Sequence, residues 1–383
     1  MPSSFQPLTP SSITQDCIVP ATDTLSPPRL SLLCITLGLG AQFDPNPAPH
    51  WHSPTTYYAL SRAALALEDI HTNTAIETVE SIGLQSLFLL RQDSGAVPER
   101  AWANLGLAMR CAQAMGLHRD SKRWGVAEDL VQRRRRTFYE LWTFEILLSA
   151  CLGRPPSLNR FQVDCEMPVD DAVSLGQNPA FYRWKHQQWS TTLLEIATSA
   201  LSSPQPSPYA TIISLDKQLR ASPLPDKLPG AADPCHIVDR SLYPQISVRW
   251  QEHTVHLMNT YTFLVLHRPF FARALLGSVD DIFQSKFLRS VMTVHDSSKA
   301  IINHFIWVSQ NEPDALDAIP FWRMAVVCSL VRAYPMYRDG TFDLLLGVSW
   351  CFDHQGTEEL ISRELYARSG PRVRVRLPTR AGV

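Results

Sequence analysis

The chain has 383 residues, 45% of them hydrophobic, which supplies enough apolar material for one large or two ordinary helical or mixed domains. Its formal net charge of −1 excludes a module whose main task is to neutralise phosphates along a nucleic acid, so any such contact would be local. The eight cysteines, at 17, 34, 111, 151, 165, 235, 328 and 351, are never closer than fourteen residues; this excludes a short-loop zinc site in this sequence and reads as small buried thiols in a reducing compartment.

Residues 1–28 are rich in Pro, Ser and Thr, carry no basic residue, and read as a disordered lead-in rather than a secretory signal. A first helical half is expected over 29–201. It opens with an apolar helix from Arg29 to about Gln42 and continues with a helix running toward Arg91, where Thr74 and Glu77 have capping-box spacing. From about Pro98, Trp102, Leu105, Met109, Ala112 and Met115 recur at spacings of three and four, and Gly116 fits a left-handed helix stop. Ala127 to Leu152 is the longest periodic stretch, with Phe138, Leu141, Trp142 and Leu148 on its inner stripe and Gly153, Pro155 and Pro156 ending it. These two helices should form a hairpin.

A helix over about Pro179 to Leu201 precedes a Pro/Ser-rich linker, 202–234, within which Thr211 to Leu219 has room for a short helix. The second helical half, 235–340, is expected to hold helices over Ser247–Leu266, ending at His267-Arg268-Pro269, over Asp280–Gln310 and over Ile319–Tyr337. Residues 341–383 read as a weakly structured basic tail. No stretch alternates as a strand does, so the fold class is all-α, a large irregular bundle of stacked helical hairpins. The most apolar stretches are broken by Arg and Pro, so no membrane partner is expected.

Chemical motifs are thin. His253 and His256 have helical i, i+3 spacing but no H-E-x-x-H context, and read as ordinary helix residues. Asp170-Asp171 and Asp280-Asp281 offer too few carboxylates to hold magnesium and a diphosphate. Ser349, Asp353 and His354 carry the letters of a hydrolase triad without the strand that a nucleophile elbow needs. Four arginines, Arg133 to Arg136, point around most of a helix at about 100° each, which favours ion pairing with Glu128, Asp129 or Glu140 over a single anionic partner.

The order AWANLGLAMRCAQAMGLHRD followed by RRRRTFYELWTFEILLSACLGRPPSLNRFQVDCEMPVDD, over 101–171, resembles the middle homology region of fungal zinc-cluster transcription regulators. The positions that carry it include Trp102, Gly116, His118, Arg119, Arg134, Arg135, Phe138, Gly153, Arg154, Pro155, Asp164 and Pro168. Where the family commonly has Trp, this chain has Tyr139, and where it commonly has Asp-Arg, this chain has Glu145-Ile146. Glu145 keeps the charge, so a pair between Glu145 and Arg154 is expected.

The resemblance implies a nuclear, non-enzymatic protein that regulates DNA-templated transcription. The family's zinc cluster is not found in this sequence, so no cofactor is expected here, and DNA would be reached only indirectly or through a separate N-terminal module. It leaves open a homo- or heterodimer with a regulator, a small-molecule effector, and the alternative of a metabolite-sensing or co-regulator protein that binds no DNA. A helical enzyme is the remote alternative.

Overall fold

The computed structural model describes residues 25–43, 53–70, 74–90, 97–169, 179–201, 207–222, 224, 246–276 and 284–311. Among these residues the secondary structure is helical, with no strand, as the periodicity predicts. The principal helices are α1 (Pro27–Phe43), α2 (Pro54–Leu65), α3 (Ile76–Leu90), α4 (Val97–Ala114), α5 (Glu128–Leu152), α6 (Pro179–Gln188), α7 (Tyr209–Ala221), α8 (Ile246–Leu276) and α9 (Leu288–Asn311). α6 runs on as two π-helical stretches, Trp189–Leu193 and Ile196–Leu201. The predicted helix at Ile319–Tyr337, the tail, most of the lead-in and the Asp-Asp and Ser349 motifs lie outside the described residues.

Three elements depart from expectation. α2 has no counterpart in the periodicity reading; Ser53 caps it by accepting from the Thr56 N–H, and Pro54 occupies the first turn, where its missing N–H costs nothing. The Thr74–Glu77 capping box does not form. The Thr74 hydroxyl donates back to the Ile70 carbonyl at 2.6 Å, and Glu77 is drawn off to Arg29 and Arg133. α8 does not stop at His267-Arg268-Pro269 but continues to Leu276. An interior proline costs about 3 kcal/mol, yet Phe270 and Phe271 are buried in the turn that follows it, and Arg268 donates to the Cys151 carbonyl at 3.1 Å. Burying two aromatic side chains is worth about 3–6 kcal/mol and outweighs the break.

One apolar cluster extends from Leu65 through Phe138, Trp142 and Phe181 to Tyr261, Ile301 and Phe305, so both halves of the chain share a core. Phe138 stacks on Trp142 at 5.4 Å inside it. Cys34, Cys111, Cys151 and Cys165 are buried, in keeping with the reading of the cysteines as small hydrophobes. Among the described residues no helix is long and apolar enough to cross a membrane.

Candidate regulatory core

The two long helices of the signature segment are each ended by a left-handed glycine. Gly116 (φ 69°) ends α4 with Leu117 N–H donating to the Ala112 carbonyl at 2.8 Å, and a Cβ there would lie 3.0 Å from the Trp124 ring. Gly153 (φ 69°) ends α5 in the same way, with Arg154 N–H donating to Ser149 at 2.9 Å. Both stops are where the sequence places them.

Between the stops, the arginine run is shared out among several neighbours. Arg133 bonds Glu77 and Glu80 on α3 at 3.1 and 2.6 Å, and Thr137 donates to Glu80 as well. Arg134 donates to the Met115 carbonyl at 2.8 Å, capping α4, while its guanidinium lies 5.2 Å from the centre of the Trp124 ring. Arg135, its side chain only 4% exposed, bonds Asp120 at 2.7 Å and Glu166 at 2.6 Å. The expected class of interaction is present but the expected partners are not: Glu128 accepts from Gln132 and Glu140 takes Lys185. Those acids lie on α5 itself, whereas packing presents the run to α3 and to the loops on either side.

Asp120 is the centre of this network and was not singled out in the sequence. Besides Arg135 it accepts from the Lys122 and Glu166 N–H groups at 3.1 and 2.9 Å. Burial works against its charge, but these donors win and hold its carboxyl below the usual range. Asp164 repeats the device at the surface: burial opposes its charge, while the Asp120 N–H, Arg123 and Arg119 lower its pKa. The His118 carbonyl accepts from Asp164 and Cys165 N–H, both at 3.2 Å, tying the loop 160–169 to the end of α4. Burial, then the neighbouring Arg119, keeps the His118 imidazole neutral at lower pH than usual. Tyr139, the departure from Trp, donates to the Cys165 carbonyl at 3.0 Å, and burial pushes its phenol up to about 12. Pro168 is half-buried at the far end of this loop.

The expected pair of Glu145 with Arg154 is absent. Arg154 stacks over Trp102, 4.8 Å from the ring centre, and Trp102 Nε1 donates to Ser149 Oγ at 3.0 Å. Glu145, 2% exposed, accepts from the Ser157 N–H at 3.0 Å and from the Ser157 hydroxyl. Desolvation pushes its carboxyl up to about 7, because the Ser157 bonds and Arg110 offset burial only in part. The helix stop explains the miss: the chain turns at Gly153, so Arg154 falls on the α4 side and Ser157 returns over α5. Pro155 is exposed in this turn.

A second hub joins α7, α8 and α9. Asp216, 0% exposed, bonds Arg220, Arg289 and, at 3.2 Å, His267 Nε2; His267 Nδ1 meets Ser290 Oγ at 2.8 Å, and that hydroxyl meets Tyr209. Asp, His and Ser are in contact here as in a hydrolase, but all three are fully buried. A nucleophile without access to substrate catalyses nothing, so the chain Asp216–His267–Ser290–Tyr209 acts as a brace. Nearby, His304 of α9 meets His253 at 3.1 Å and stacks on His256 at 4.5 Å. Burial, then the two neighbouring imidazoles, keeps His304 neutral far below its ordinary range. Among the described residues no group of three or more His, Cys, Asp or Glu side chains is arranged to hold a metal.

The model of the fungal specific transcription factor domain matches residues 21–222. An uncharacterized transcriptional regulatory protein of Schizosaccharomyces pombe is 27% identical over 189 residues, 45% of this chain and 23% of that protein. Activator of stress genes 1 of Saccharomyces cerevisiae is 28% identical over 114 residues, 30% of this chain and 12% of its own length. Transcription factor FBD3 of Gibberella moniliformis is 35% identical over 81 residues, 21% and 10% of the two chains. The chain thus spans less than a quarter of the length of these relatives. No solved structure matches it. With more than half of its residues under the family model, and with the signature folded into a braced helical core, the chain belongs to the fungal specific transcription factor domain family.

Proposed function

We propose that this chain is the regulatory middle region of a nuclear transcription regulator and catalyses no reaction. The family match over residues 21–222 carries the reading, and relatives named as transcriptional regulators support it. The burial of its polar networks agrees: Asp120–Arg135 and Asp216–His267 are spent on holding helices together rather than on a reactive cleft. DNA contact is assigned to a separate module or a partner regulator, because the sequence holds no closely spaced cysteines to wrap a zinc cluster and no net positive charge.

The test is to fuse the full chain to an unrelated DNA-binding domain and read a reporter downstream of that domain's site. Expression that rises or falls relative to the DNA-binding domain alone is the expected result. A reporter unmoved by a folded, nuclear fusion would contradict the reading.

A further inference from the structure

A pocket of about 350 Å³ lies where the turn at Arg160–Gln162 faces the π-helical part of α6. Its volume falls at the small end of the range for ligand sites, roughly 300–1,000 Å³. One wall carries Arg160 and Phe161; the other carries Thr191, Leu194, Glu195 and Thr198. Phe161 is 84% exposed, the most exposed large apolar side chain among the described residues. Arg160 spends one nitrogen on the Val163 carbonyl at 3.0 Å, and among the described residues neither Arg160 nor Glu195 makes an ion pair, with each other or elsewhere. Both side chains are exposed and line one pocket without pairing with each other, whereas in the signature Arg133, Arg135, Asp120 and Asp164 are all paired.

The α6 wall is selective by its hydrogen-bond roles. The Thr191 and Thr198 hydroxyls donate to the Gln187 and Leu194 carbonyls at 2.6 and 2.8 Å, so toward the pocket they can only accept. That wall, with Glu195, suits a cation and repels an anion, while Arg160 offers a planar fork to a carboxylate. The π-helical turns, a geometry found often at functional sites, form the α6 side of the opening.

We propose that this pocket binds a small zwitterion with an apolar body, of the class of apolar α-amino acids. The carboxylate sits on Arg160, the ammonium on Glu195 and the threonine oxygens, and the apolar side chain against Phe161 and Leu194. The proposal rests on the regulatory reading and gives that reading an input. The loop that carries Arg160 continues to Val163–Glu166, which is bonded to His118 and Asp120, so an occupant would tie α6 to the signature core.

The test is calorimetric titration of the full chain with single apolar amino acids, from valine to phenylalanine, and with their deaminated acids and decarboxylated amines. Saturable binding of at least one amino acid is expected, weakened about tenfold or more in either truncated analogue, since each loses one charge-assisted contact. Arg160→Ala and Glu195→Ala should each weaken it by about the same factor, and the melting temperature without ligand should stay put for Glu195→Ala, whose exposed side chain makes no ion pair among the described residues, while Arg160→Ala also gives up the bond to the Val163 carbonyl. Absence of binding by every amino acid, equal binding of a deaminated acid, or wild-type affinity in both variants overturns the proposal. Failure here beside an active reporter fusion rejects the pocket alone; binding beside a silent reporter supports the pocket and rejects the regulatory reading.

Discussion

Two buried aspartates hold this molecule together in different ways. Asp120 is bound by a guanidinium as buried as itself and by backbone N–H groups drawn from residues 120–166, inside the family signature. Asp216 gathers His267, Arg220 and Arg289 from three helices; its two arginines are about half exposed, and among the described residues its buried partner is His267, whose pKa burial lowers. Removing Asp120 leaves the buried Arg135 with only the surface carboxylate of Glu166, whereas removing Asp216 lets two cations relax into solvent. The cost of losing a carboxylate is therefore set by what its partners can do next.

Asp120→Ala should destabilise by about 3–5 kcal/mol, as broken buried pairs do, read as a lower urea midpoint at unchanged slope. Asp216→Ala should cost less, about 2–3 kcal/mol, mainly the charge-assisted bonds it loses. A greater loss for Asp216→Ala than for Asp120→Ala would contradict this difference between the two carboxylates.

Glu145 sharpens it from the other side, as a buried carboxylate with no cation bonded to it. Its folded pKa of about 7 stands above the ordinary 4.5, so the penalty for keeping it buried is absent below pH 4.5, grows between 4.5 and 7, and is complete above 7. Glu145→Gln should thus stabilise the protein by about 1–3 kcal/mol near pH 8 and hardly at all near pH 4. Equal effects at both pH values would contradict the raised pKa. The smallest effect is expected at the surface: Arg123 is 66% exposed, and Arg123→Ala should shift stability by less than about 1 kcal/mol, a shift that salt screens further.

The sequence made the first of these regions far more legible than the second. Gly116, Gly153 and the apolar stripe through Phe138 and Trp142 act locally, so spacing alone located the α4–α5 hairpin and both of its stops. Asp120 escaped because its partners are set by how the loop 160–169 folds back, not by helical spacing. Apart from Arg220, four residues along the same helix, the Asp216 carboxylate meets His267 and Arg289, 51 and 73 positions away, and no periodicity reports contacts of that kind. Pro269 misled for a related reason: a local breaker was overridden by Phe270 and Phe271 entering a core assembled from distant helices. In the pocket, Arg160 and Glu195 carry no sequence signal; their mutual lack of pairing exists only in three dimensions.

The family signature is built on a buried charge brace, Asp120 on Arg135, rather than on a surface for anions. A double-mutant cycle measures it directly, with urea unfolding of Asp120→Ala, Arg135→Met and the double variant. The brace predicts that each single change costs about 3–5 kcal/mol and that the double costs clearly less than their sum, since neither charge is then left alone. Single variants within about 0.5 kcal/mol of wild type, or strictly additive losses, would contradict it.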